Sequence, residues 1–172
     1  SINTALTVDK SSDTTANAID TAFLAASTIT CTDTSWTQLK LPTVVDNTTV
    51  TAPSATGYST SMSKAADFGV SGTSCTFSSP VRLLFPGQAG KKAGYTTSSG
   101  GTLTEITTTC DSTTAPTNVT GAVTDCKVDC GSDLCVFTKH ATYFGIYNQT
   151  AQSSSSGGSG FCGARRGSSG QS

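Results

Sequence analysis

The residues best equipped for chemistry in this chain are its seven cysteines, Cys31, Cys75, Cys110, Cys126, Cys130, Cys135 and Cys162. Seven thiols beside a single histidine and scattered carboxylates point to disulfide formation in an oxidising compartment rather than to a metal centre. Short separations favour Cys31 with Cys75, Cys110 with Cys126 and Cys130 with Cys135, which leaves Cys162 unpaired or bonded between chains. A rival pairing joins Cys135 to Cys162, tying down the C-terminal end and leaving Cys130 free. Closing the interval from Cys110 to Cys126 contributes roughly 3 kcal/mol through loop entropy. The spacings of four and five among Cys126, Cys130 and Cys135 lack the paired C-x-x-C knuckles of a zinc site, and no metal is expected.

Other reactive groups are sparse. Asp125, Asp129 and Asp133 recur every fourth residue and could touch a calcium ion, but they lack the alternating ligands of an EF-hand, so a solvated loop is expected. With Glu105 the only glutamate, no glycosidase-type carboxylate pair can be singled out. One histidine and no Ser/His/Asp spacing leave no catalytic triad, so neither enzyme activity nor a cofactor is expected. Asn47, Asn118 and Asn148 each begin an N-x-Thr sequon and are glycosylation candidates. The Ser and Thr clusters could carry O-linked sugars.

The elements that must position these groups are strands. Thr (33) and Ser (25) make up about a third of the 172 residues. Thr is β-branched and favours extended backbone, whereas Ser and Gly fill turns. Strong helix formers are scarce. The formal charge of −1, with neither sign clustered, excludes steering toward nucleic acid. No apolar run is long enough to span a membrane. A start on Ser1 without Met is read as a mature form whose signal peptide has been removed.

Three zones follow. In residues 1–13, Ile2, Thr4, Leu6 and Val8 fall on one side of an extended strand, with Asn3, Ala5, Thr7 and Asp9 on the other. Residues 14–150 carry short β-type runs at 36–45, 48–51, 55–62, 75–85, 93–97, 102–110, 119–123, 134–139 and 142–147, while 17–28 is ambiguous between helix and strand. The prolines are expected at run ends or sheet edges, with Lys91 and Lys92 helping to protect an edge. Residues 151–172 have the Ser/Gly composition of a flexible tail. The fold class is all-β: a disulfide-stabilised, Ig-like or ZU5-like β-sandwich with an N-terminal extended strand.

The segments Pro80–Pro86, Thr107–Cys110, Asp125–Cys126 and Cys135–Tyr147 resemble the ZU5/GAIN type of extracellular β-sandwich over about residues 79–147. Their end is similar to a degenerate GPS motif, in which a Cys strand is followed by His-Leu-Thr and an aromatic strand. In autoproteolytic members a His activates a Thr or Ser hydroxyl that attacks the preceding peptide bond. The resemblance therefore implies His140 as base, Thr142 as nucleophile and Ala141–Thr142 as scissile bond. Ala141 stands where the motif has Leu and the paired tryptophans are missing, so ordinary hairpin positions in a non-cleaving relative are the favoured interpretation.

The expected function is a structural subunit of an extracellular filament or pilus-like surface assembly. Its N-terminal strand (Ile2, Thr4, Leu6, Val8) resembles a donor-strand pilin arm, and copies of the same chain are the expected partner. The same strand could instead pair within its own domain. The alternative is an adhesion or sensor module of GAIN/ZU5 type within a larger cell-surface protein.

Overall fold

Burial alternates along residues 75–85: Cys75, Phe77, Val81, Leu83 and Phe85 are buried while Thr76 and Ser78 are exposed. That period of two sets one face of a strand against a core. The structure, a computed structural model, describes residues 6–8, 19–33, 39–69 and 73–153. In chain order the strands are β1 (Leu6–Val8), β2 (Asp20–Phe23), β3 (Ile29–Cys31), β4 (Lys40–Val45), β5 (Tyr58–Gly69) and β6 (Cys75–Phe85). They continue with β7 (Lys92–Thr96), β8 (Thr104–Glu105), β9 (Asp125–Cys130), β10 (Asp133–Ala141) and β11 (Tyr143–Ala151).

Two antiparallel sheets result. One has the order β1-β2-β6-β10-β9, with β3 also pairing β6; the other runs β4-β5-β11-β7-β8. This is the all-β, disulfide-stabilised sandwich expected from composition. Phe23, Phe68, Phe77, Leu83, Phe85, Val136, Phe144 and Ile146 belong to the core cluster. Phe68 from one sheet stacks on Phe77 from the other at 5.5 Å and 7°, and Phe23 meets both edge-on.

The outer faces are also covered. Cys110 and Val119 pack over Cys126, Cys135 and Phe137 on one sheet, and Val50 and Leu103 pack with Ala65 and Tyr147 on the other. The central strands β10 and β11 are therefore buried on both sides. This explains why Leu134–Phe137 and Phe144–Tyr147 read as unbroken buried runs instead of alternating ones. Leu103 reaches the second sheet through a notch made by two glycines paired across strands, Gly94 and Gly145. A Cβ on Gly94 would lie 2.7 Å from the Thr104 carbonyl oxygen, and one on Gly145 would collide with Leu103 Cδ1.

Disulfides join Cys31 to Cys75, Cys110 to Cys126 and Cys130 to Cys135, the pairs that short separations favour. Cys162 and the tail from residue 154 lie outside the described residues, as do Ile2 and Thr4.

Several local expectations change. Residues 48–51 do not form a strand: Asn47–Thr49 is a 3-10 turn, because Asp46 accepts the Thr48 backbone N–H and hydroxyl, both at 2.8 Å. Residues 119–123 are a turn region, and the run at 102–110 shrinks to β8. β9 arises where no strand was expected. Pro80 lies inside a central strand, not at an edge. It is tolerated because the β6–β10 ladder breaks between Val81 and Thr76, and β2 and β3 pair β6 only on either side of it. Lys91 and Lys92 guard no edge. Lys91 Nζ donates to Ser63 Oγ at 2.6 Å and Gln88 Oε1 at 2.9 Å, while Lys92 pairs with Glu105 at 2.8 Å.

Candidate functional site

The chain crosses from one sheet to the other at a single residue, Thr142, between β10 and β11. Gly69 ends β5 opposite this corner with φ +126°, and a Cβ there would approach Ala141 Cβ to 2.7 Å. The close approach draws the sheets together beneath His140. Thr138 clamps the preceding bulge, its hydroxyl donating to His140 O at 3.0 Å and accepting from His140 N at 3.1 Å.

The His140 ring is held on three sides. Its Nε2 lies 2.8 Å from Asp125 Oδ2, which also accepts the Thr124 hydroxyl at 2.7 Å. Tyr95 meets the ring edge-on at 4.6 Å between centroids, and Phe144 stacks on it at 5.8 Å and 15°. A carboxylate oxygen accepts, so Nε2 is the donor of this bond. Asp125 is buried, with side-chain exposure of 6%, and its Oδ1 has no hydrogen-bond partner. The pair lies within one sheet, between β9 and β10, and the ring reaches across to Tyr95 of β7 and Phe144 of β11 in the other.

His140 also lines a cleft of about 610 Å³ at this end of the sandwich, together with Tyr95, Thr97, Ser98, Ser99, Thr142 and Tyr143. More than half of the lining side chains carry Ser or Thr hydroxyls. Asp67, the carboxylate in the lining, is bonded to Lys40 at 2.6 Å.

Each candidate from the sequence has a definite place. His140 and Thr142 share the cleft but are not hydrogen-bonded to each other: Nε2 is committed to Asp125, and the Thr142 hydroxyl donates to Thr96 O at 2.5 Å. The three aspartates diverge. Asp125 faces His140, Asp129 Oδ1 accepts Gly90 N at 2.9 Å, and Asp133 Oδ1 accepts Gly87 N at 2.8 Å. No group of three or more His, Cys, Asp or Glu converges among the described residues. Asn47 and Asn148 are exposed; Asn118 is half-buried, with Nδ2 donating to Thr109 O at 2.8 Å. The described part of the N-terminal arm, β1, pairs β2 of its own chain in the register Leu6↔Phe23, Thr7↔Ala22, Val8↔Thr21.

Asp125 as the partner of His140 is the residue that motif reading missed. The signal was present as hairpin arithmetic. Gly131 and Ser132 form a two-residue turn between Cys130 and Asp133, and that register carries Thr138 opposite Asp125, two residues short of His140.

The chain matches no protein-family model, and no match is found among curated proteins or solved structures.

Proposed function

We propose that this chain is an extracellular structural domain that assembles with copies of itself by exchanging its N-terminal strand. The observation that carries the reading is the position of β1. Among the described residues it is an edge strand of three residues whose sheet neighbour is β2 alone. A short edge strand held by one ladder is easily replaced by the same segment of another copy in the same register. Repetition of that head-to-tail contact yields a fibre. Three disulfides support a secreted setting, since such bridges persist in oxidising compartments. Among the described residues, no helix is long and apolar enough to cross a membrane.

The test is electron microscopy and sedimentation of the full chain beside a variant lacking residues 1–13. Assemblies from the full chain, with a folded monomer from the truncated one, are the expected result. Monomers alone from the full chain, at any concentration reached, sink the reading.

A second reading, an adhesion or sensor module of GAIN/ZU5 type, draws on the shared placement of His140 and Thr142 in one cleft. Intact mass after reduction tests its autoproteolytic form. Two fragments meeting at Ala141–Thr142 support it, and one uncut species removes it.

A further inference from the structure

We propose that the cleft at the β10–β11 corner is a binding site for a neutral saccharide. The proposal does not rest on strand exchange, because every lining residue it uses lies outside β1.

Size comes first. About 610 Å³ lies within the range of small-molecule sites, roughly 300–1,000 Å³. Charge then narrows the ligand. No Lys or Arg lines the cleft among the described residues, so a phosphate, sulfate or carboxylate ligand would find no cation to pair with. The lining carboxylate, Asp67, is already neutralised by Lys40, so a cationic ligand would have to displace a 2.6 Å ion pair. Polarity narrows it further. The walls are mostly hydroxyl-bearing, and a purely apolar ligand would strip water from those groups without replacing its hydrogen bonds.

What remains is a neutral molecule that both donates and accepts through many groups of its own. Ser and Thr hydroxyls do both by rotating, so they match ligand hydroxyls in either sense. His140 adds a further polar partner: Nε2 is committed to Asp125, which leaves Nδ1 to a ligand hydroxyl, a group that can either donate or accept. Tyr95 and Tyr143 supply half-exposed aromatic surface in the same lining, suited to the apolar C–H faces of a pyranose ring. Tyr95 is braced by its 4.6 Å contact with the His140 ring, so that surface is set before any ligand arrives. A polyhydroxylated ring compound is the chemical class that uses all of these features together.

The experiment screens the full, disulfide-intact chain on an array of neutral and charged oligosaccharides. The most strongly retained neutral glycan is then titrated into isotope-labelled protein and followed by NMR. Shifts should concentrate at Tyr95, Ser98, Ser99, His140 and Thr142. Ser99→Trp, which fills the cleft from an exposed position, should weaken binding by about tenfold or more, whereas Ser59→Trp at the far end of β5 should leave it unchanged. Retention of no glycan, or of charged glycans alone, overturns the proposal. So do shifts on the wild-type chain that map away from the corner, a readout that does not depend on either variant folding.

Discussion

His140 Nε2 lies 2.8 Å from Asp125 Oδ2, a contact between neighbouring strands β10 and β9 of one sheet that fixes the ring against Tyr95 and Phe144 of the other. Removing the imidazole leaves a charged group buried with neither oxygen bonded to a ring nitrogen. His140→Leu should therefore destabilise the domain by about 3 kcal/mol, and the double change with Asp125→Leu should recover part of the loss. Urea denaturation of the two variants checks this. A single-variant effect within about 0.5 kcal/mol, the range of ordinary surface changes, would show that the pair is not a structural tie.

The three disulfides should rank by the chain they enclose. Sequence separations of 44, 16 and 5 give loop-entropy contributions of about 4, 3 and 2 kcal/mol for Cys31–Cys75, Cys110–Cys126 and Cys130–Cys135. Paired Cys→Ala variants, compared by denaturation midpoint at constant slope, measure the order. Greatest loss on removing Cys130–Cys135 would contradict it.

Acid should loosen the cover over the outer face of the β9–β10 sheet. The Thr117 hydroxyl donates to Asp111, and this bond, joined by backbone N–H donors, holds the carboxyl below its ordinary value. A depressed folded pKa means the stabilisation is present above the unfolded value, about 3.9, and fades as pH falls through the lower folded one. Hydrogen exchange across residues 111–124 should accelerate in that acid window relative to β10. Asp111→Asn should show the faster exchange already at neutral pH and lose the acid step.

The paired glycines should tolerate alanine unequally. At Gly94 the new Cβ meets a backbone carbonyl, that of Thr104, at 2.7 Å, so β8 must move. At Gly145 it meets the tips of Leu103 and Met62, which can rotate aside. Gly94→Ala should cost about 1–3 kcal/mol and Gly145→Ala less, as thermal or urea unfolding would reveal. Equal losses would mean that Leu103 cannot move in its notch.

The fold class was readable because Thr-rich composition, period-two alternation and turn residues agree with one another. Cys75–Phe85 shows the strength of that signal: its bounds match β6 to the residue. β9 shows its limit. Asp125–Cys130 does alternate, with Cys126, Val128 and Cys130 set between Asp125, Lys127 and Asp129, but Val128 is its one aliphatic residue, and its pairing with β10 is what makes it a strand. Residues 48–51 failed for a different reason: Asp46 offered the backbone a closer partner than any neighbouring strand. At the site, His140 and Thr142 stood out in the sequence, but their two-residue separation could not reveal that the chain changes sheets between them. Tyr95, Ser98 and Ser99 had no local signal, since only the meeting of β7 with β11 brings them beside His140.

The placement of β10 and β11 has a consequence for when this domain can form. β6 and β9 share a sheet only through β10, and β5 and β7 only through β11. Among the described residues these are the last two strands in chain order, so a nascent chain lacks the middle of both sheets until residue 151 has emerged. Most native pairings span long stretches of sequence, a topology that folds slowly. Acquisition of this domain's structure is thereby deferred until β11 is available, so the earlier strands wait on the later ones for their partners.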